Sequence, residues 1–131
     1  MKKMLALLLA VLMIVGMTAC ASKAKSDSDV AYVKDKGVLV VGITDFAPMD
    51  YKNDAGEWIG FDADMARAFA KNLGVDVKFV EIDWGSKHLE LEAKNIDVVW
   101  NGMTLTEAVM AAMECSNPYC QNAQVVVVPA K

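Results

Sequence analysis

Two places in this 131-residue chain carry residue types at spacings that suit chemistry. The first is Asn101-Gly102-Met103-Thr104-Leu105-Thr106. A strand that turns through Gly102 into a helix presents the backbone N–H groups of Gly102 and Thr104, and the Thr104 hydroxyl, to an anion. Asn101 and Met103 belong to the same turn. The alternative is a plain strand-to-helix turn, and for Thr106 the preferred role is to cap the next helix.

The second place is Cys20. Residues 5–16 are almost purely apolar, follow Lys2 and Lys3, and run into Met17-Thr18-Ala19-Cys20. A basic pair, a short greasy core and a small residue before a cut form the three-part layout of an export signal, and the core is short for a membrane span. Residues 1–19 are therefore expected to be removed. The Met-Thr-Ala-Cys ending resembles the bacterial lipobox, in which the thiol carries a diacylglycerol. Each buried acyl methylene contributes roughly 0.8 kcal/mol, so two or more chains hold durably where one does not. An ordinary cleaved signal with an incidental cysteine beyond the cut is the alternative.

Other chemistry lacks its parts. His88 is the single histidine, and no nucleophile stands beside a base, so catalysis is not expected. Cys115 and Cys120 flank Asn117-Pro118 without a histidine at ligand spacing, so no metal site is expected, and no cofactor either. Two buried free thiols are the reading, with a disulfide as the alternative that export would permit. Removing residues 1–19 takes away two lysines and no acid, moving the formal charge from −4 to −6. An acidic chain lacks the basic stripe that a nucleic-acid partner requires.

The elements that must position these residues read as α/β. Residues 20–29 hold no large apolar side chain and form a flexible tether, with folded structure starting between Val30 and Val38. Residues 38–43 form a β-branched run suited to a strand buried on both faces. Pro48 marks a loop, residues 53–56 a turn, and Tyr51 and Trp58 flank a small hairpin. Phe61, Met65, Phe69 and Leu73 recur every four residues, widened by Ala66 and Ala70, as the apolar stripe of a helix that stops at Gly74. Asp62 and Asp64 fall off that stripe, at the positive end of the dipole. Residues 75–82 alternate with period two, 86–93 suit a short helix, 96–100 a strand, 106–113 a helix and 125–128 a last strand. Strand, helix, strand, helix, strand is the pattern of a mostly parallel sheet flanked by helices.

With these segments in place, the chain resembles the extracellular solute-binding proteins, family 3, of polar amino-acid ABC transporters. The resemblance runs through Lys36-Gly-Val-Leu-Val-Val-Gly-Ile43, Gly56-Glu-Trp-Ile-Gly-Phe-Asp-Ala-Asp-Met65, Glu81-Ile-Asp-Trp84, Asn95-Ile-Asp-Val98, Asn101-Gly-Met-Thr-Leu-Thr-Glu107 and Ser116-Asn-Pro-Tyr119. It implies a lobe of the type II periplasmic-binding-protein fold, spanning residues 30–131. Family members close two lobes on a ligand, and residues 125–129 resemble the first hinge strand. The resemblance thus implies that the first lobe is present and the second absent, a half-site from which weak binding is expected.

The resemblance also implies roles. Asp45 and Phe46 follow the first strand, where the aromatic stacks on a ligand side chain and the acid meets a ligand ammonium; a turn acid beside a core aromatic is the alternative. Trp84 forms a pocket wall, or else an ordinary packed indole. The turn at Asn101, Gly102, Met103 and Thr104 meets an amino-acid α-carboxylate. Where many relatives place an arginine three residues after the threonine of this motif, Thr106 here, this chain has Val109, so the bidentate clamp is missing. The partners implied are a small amino acid, an ABC permease and, through Cys20, the cell membrane, facing the periplasm or the exterior. A nonfunctional remnant or a sensor lobe are the competing classes. Mass spectrometry of the membrane-extracted product is expected to find Cys20 as the first residue, bearing diacylglycerol; a bare thiol in an intact secreted chain would remove the anchor.

Overall fold

The computed structural model describes residues 28–123 and 125–130. Contacts divide the chain into residues 1–32 and residues 33–131. Of the first unit only residues 28–32 are described, and they open helix α1, Asp29–Lys36. The export signal, Cys20 and nearly all of the tether lie outside the described residues. Asp29, assigned above to the tether, is instead the first residue of α1, an acid in the first turn with Lys34 and Lys36 in the last. That charge order suits the helix dipole.

The second unit continues with β1 (Val38–Ile43), a hairpin of β2 (Tyr51–Lys52) and β3 (Trp58–Ile59), helix α2 (Phe61–Leu73), β4 (Asp76–Glu81), a 3-10 turn (Trp84–Ser86), α3 (Lys87–Glu92), β5 (Val98–Val99) and α4 (Glu107–Ala112). The sheet order is β4-β1-β5, with β1 parallel to both neighbours. Val38 to Ile43 lie opposite Asp76 to Glu81, and Val41 and Gly42 opposite Val98 and Val99. The central position explains the unbroken apolarity of β1, since a strand covered on both faces has no polar side. β5 is shorter than the expected 96–100, although Asp97 N–H to Val40 O at 2.8 Å and Trp100 N–H to Gly42 O at 3.1 Å carry the pairing past its ends. The expected hairpin forms, with Lys52 opposite Trp58.

The face of α2 that meets the sheet keeps Ala66, Ala70 and Leu73 of the expected stripe but not its larger members Phe61, Met65 and Phe69. Ala63, Ala66 and Ala70 are buried with Val33, Leu39, Val41 and Ile43 in the core, whereas Phe61, Met65 and Phe69 are 49%, 37% and 46% exposed. Three alanines let the helix axis approach β1 closely, and the larger side chains then fan out beside the contact. Asp62, expected off the apolar stripe, is fully buried. The expected strand at residues 125–128 is also absent. These valines are 72–89% exposed and form no strand, because an apolar run forms a ladder only where another strand offers its N–H and C=O groups, and no described strand pairs with it. The two thiols are free as read, but Cys115 is half-buried and Cys120 exposed rather than both buried.

The junction between the loop after β1 and the start of α2 is backbone against backbone. Phe61 N–H donates to Pro48 O at 3.3 Å and Asp62 N–H to Met49 O at 2.9 Å, so loop carbonyls satisfy amides that a helix start leaves without partners. Gly60 makes this approach possible: its φ is +120°, and a Cβ there would sit 2.3 Å from Met49 O. The junction buries two carboxyl groups, Asp50 and Asp62, both without exposure. Neither Asp50 oxygen has a hydrogen-bond partner among the described residues. Burial, then the neighbouring Asp62 charge, push the Asp50 carboxyl up to about 7, and the Ala63 amide offsets only part of that rise.

Two expectations follow from this junction. Gly60→Ala should destabilise the chain by more than ~1 kcal/mol, through backbone clash and a disfavoured positive φ; an unchanged urea midpoint would refute the close approach. For Asp50, the folded state holds a proton that the unfolded chain has already released, so stability should fall as pH rises from the ordinary carboxyl range to about 7, and level off above it. The slope is at most about 1.4 kcal/mol per pH unit for one proton. Asp50→Asn should flatten it and raise stability at pH 8, as read by melts across that range.

Candidate functional site

Parallel pairing sends the chain out of β1, β4 and β5 at the same end of the sheet, and an open cleft of about 540 Å³ lies there. It is lined by Thr44 and Phe46 after β1, Trp84 and Lys87 after β4, and Asn101, Gly102, Met103, Thr104, Thr106 and Val109 after β5. Ligands of open α/β sheets bind outside the carboxyl ends of the strands for this reason.

Each loop is held by its own local contacts. Phe46 N–H donates to Asp50 O, while Met49 and Asp50 N–H groups return to Phe46 O at 2.9 and 3.0 Å, a tight turn that leaves the Phe46 ring 53% exposed in the cleft. Asp45 is exposed on the same loop and lies outside the lining. After β4, the Asp83 side chain accepts from Ser86 N–H at 3.1 Å and caps the 3-10 turn that carries Trp84. Asp83 is thus occupied in the capping role that the sequence suggests. After β5, the side chain of buried Asn101 ties the first and third loops: its Oδ1 accepts from Thr44 N–H at 3.0 Å and its Nδ2 donates to Thr44 Oγ1. Asn101 therefore lines the cleft while its amide group is committed to Thr44.

Gly102 adopts φ +55°, and a Cβ there would lie 3.2 Å from Phe46 Cε1 and 3.6 Å from Asp62 Oδ2. The turn thus rests directly on the Phe46 ring and above the buried acid. Asp62 accepts from the Tyr119 hydroxyl at 2.7 Å, and its Oδ2 has no described partner. Burial and the Asp62 carboxylate hold the Tyr119 proton above the ordinary phenol range. Thr104 is exposed and lines the cleft, with its Oγ1 accepting from Asn122 Nδ2 at 3.0 Å. Thr106 caps α4 by accepting from Val109 N–H at 3.3 Å.

Of the residues singled out in the sequence, Phe46, Trp84, Asn101, Gly102, Met103 and Thr104 come together around one cleft, and Asp45 stays outside it. Sequence reasoning left the register after β1 open between Asp45 and Thr44, and it did not place Lys87 in the lining. Lys87 follows Trp84 by three residues, one helical turn on, and that spacing was the available signal. Arg67, the single arginine, is away from the cleft, donating to Trp58 O, pairing with Asp64 at 3.1 Å and lying over the Phe79 ring.

The geometry agrees with the comparisons. The family model for bacterial extracellular solute-binding proteins, family 3, matches residues 39–131. The L-cystine-binding protein TcyJ of Escherichia coli (strain K12) is 33% identical over 88 residues, which make up 66% of this chain and 33% of that protein. Among solved structures, an ancestral cyclohexadienyl dehydratase superposes with a TM-score of 0.69 at 34% identity, covering 72% of this chain and 40% of that one. The arginine-bound form of domain 1 from TmArgBP of T. maritima superposes with a TM-score of 0.65 at 37% identity, covering 67% of this chain and 71% of that one. The chain thus spans about a third of the curated cystine-binding relative and most of the isolated arginine-bound domain. Its fold is part of a type II periplasmic-binding-protein lobe, with a parallel central sheet and flanking helices. The chain belongs to the bacterial extracellular solute-binding proteins, family 3.

Proposed function

We propose that this lobe captures an amino acid outside the membrane for delivery to an ABC permease, and that Cys20 anchors it to lipid. The observation that carries the binding part is the cleft itself, where two aromatic walls, Phe46 and Trp84, face a glycine turn with a hydroxyl beside it. Aromatic faces suit the apolar part of an amino-acid side chain, and turn amides with a hydroxyl suit its carboxylate. Asn122 orients that hydroxyl: because Thr104 Oγ1 accepts from Asn122, its own proton is available to donate into the cleft. Asp45, exposed on the Phe46 loop and outside the lining, carries no part of this reading.

The chain carries one side of a cleft that relatives close with a second lobe, and closure is what a permease would read. The arginine-bound form of domain 1 from TmArgBP supports measuring binding on this chain by itself, against the weak half-site expected from sequence. Catalysis is a reading worth naming because an ancestral dehydratase shares the fold. The lining includes neither histidine nor carboxylate, and binding is therefore the reading adopted.

Tryptophan fluorescence or calorimetry on the purified chain, with a panel of amino acids that includes arginine and cystine, should find one that saturates a single site. Phe46→Ala, at an exposed side chain that the core does not need, should weaken that amino acid roughly three- to tenfold, the ~0.5–1.5 kcal/mol of an aromatic contact. A panel in which nothing saturates, or an affinity indifferent to Phe46, would remove the proposal.

A further inference from the structure

The cleft's charge is concentrated in one side chain. Of the ten lining residues, Lys87 alone carries an acidic or basic side chain, in a chain whose net charge is −4. Lys87 is half-buried at the start of α3. Its Nζ lies 4.5 Å from the centre of the Trp84 ring and donates to Trp84 O at 3.0 Å. Those contacts fix the ammonium against one wall of the cleft and use one of its three N–H donors, leaving two for a ligand. No ion pair to Lys87 is found among the described residues, and the two nearest acids in sequence, Glu90 and Asp83, are engaged by Asn95 Nδ2 and Ser86 N–H. On the other side of the same cleft stands Val109, which offers no charge.

Building on the solute-binding reading, we infer that Lys87 is the carboxylate-pairing residue of this cleft, and that the ligand class is a solute recognised here through an anionic carboxylate. The ammonium acts with the Gly102 and Thr104 turn, which neutralises part of the same charge by dipoles. Partial burial keeps the attraction stronger than it is between fully exposed groups. A lysine is a point charge on a flexible stem and lacks the planar fork of arginine, so the pairing tolerates several carboxylate orientations and weakens with salt. The uncharged remainder of the lining gives a ligand ammonium no counter-ion inside the cleft. The half-site should therefore discriminate acid from amide far more strongly than free from acetylated amine.

The test uses the whole chain and acetate, the simplest carboxylate, followed by amide NMR at low salt and pH 7. Acetate should saturably shift the Gly102, Thr104 and Lys87 resonances, and acetamide should not. Lys87→Arg should retain acetate binding, whereas Lys87→Met should weaken it about tenfold or more with the rest of its spectrum unchanged. Acetate shifts that survive in Lys87→Met, or no saturable shift in the unaltered chain, overturn the proposal. Amino-acid binding measured separately by fluorescence keeps the two readings apart. An amino acid that binds equally well to Lys87→Met refutes the lysine pairing and leaves solute binding standing. Acetate held through Lys87, with no amino acid bound, supports the pairing and removes amino-acid capture.

Discussion

Parallel hydrogen bonding of β1 to β4 on one side and to β5 on the other is the constraint on which the rest depends. Parallel strands cannot be joined by a tight hairpin, so the chain must cross over the sheet between them, and α2 and α3 are the crossings. The same constraint sends three loops out of the sheet together. Phe46, Trp84 and the Gly102 turn are far apart in sequence and meet because three strands point the same way. The Asn101 side chain then fixes the first loop to the third, through both hydrogen bonds to Thr44.

Beneath the cleft the packing is unusually polar. The start of α2 gives its first amides to the loop of residues 46–50 and buries Asp50 and Asp62 beside each other, with three of their four oxygens unpartnered among the described residues. Buried carboxyl groups cost stability unless they are paired or protonated, and among the described residues this pair is compensated by the Tyr119 hydroxyl, by the Ala63 amide and by the proton that Asp50 retains. Its position ties two things that look separate. Asp62 lies under Gly102, and Tyr119 reaches it from the segment after α4, so that segment is tied beneath the cleft by one hydrogen bond.

Where local pattern and tertiary environment coincide, the sequence was readable. β1 is apolar throughout because it is central, β4 alternates because it is an edge strand half covered, and Gly74 ends α2 in the left-handed conformation. The Asn101–Thr106 segment was legible as a turn because glycine and the capping threonine announce it. What failed depends on contacts that no window of sequence contains. Period four marked α2 as a helix and placed Ala66 and Ala70 on its buried side, but could not tell that Ala63 would join them while the phenylalanines stayed half exposed. Asp62 reads as a solvated helix-start acid and is buried only because a distant loop closes over it. Lys87 reads as a surface lysine, and its place in the cleft follows from the direction in which α3 leaves Trp84. The valines at 125–128 have strand propensity without a ladder, and propensity is a statement about fitting a sheet that must already be there.

Those four valines set a separate limit on the molecule's behaviour. A β-branched run, uncharged and almost wholly open to water, finds no backbone partner among the described residues, which makes it a template for a strand that will add to it. Two copies satisfy that demand as readily as one foreign strand does. Colloidal behaviour at high concentration is therefore governed less by the core than by this ribbon, and a charged or proline residue within it is the natural gatekeeper.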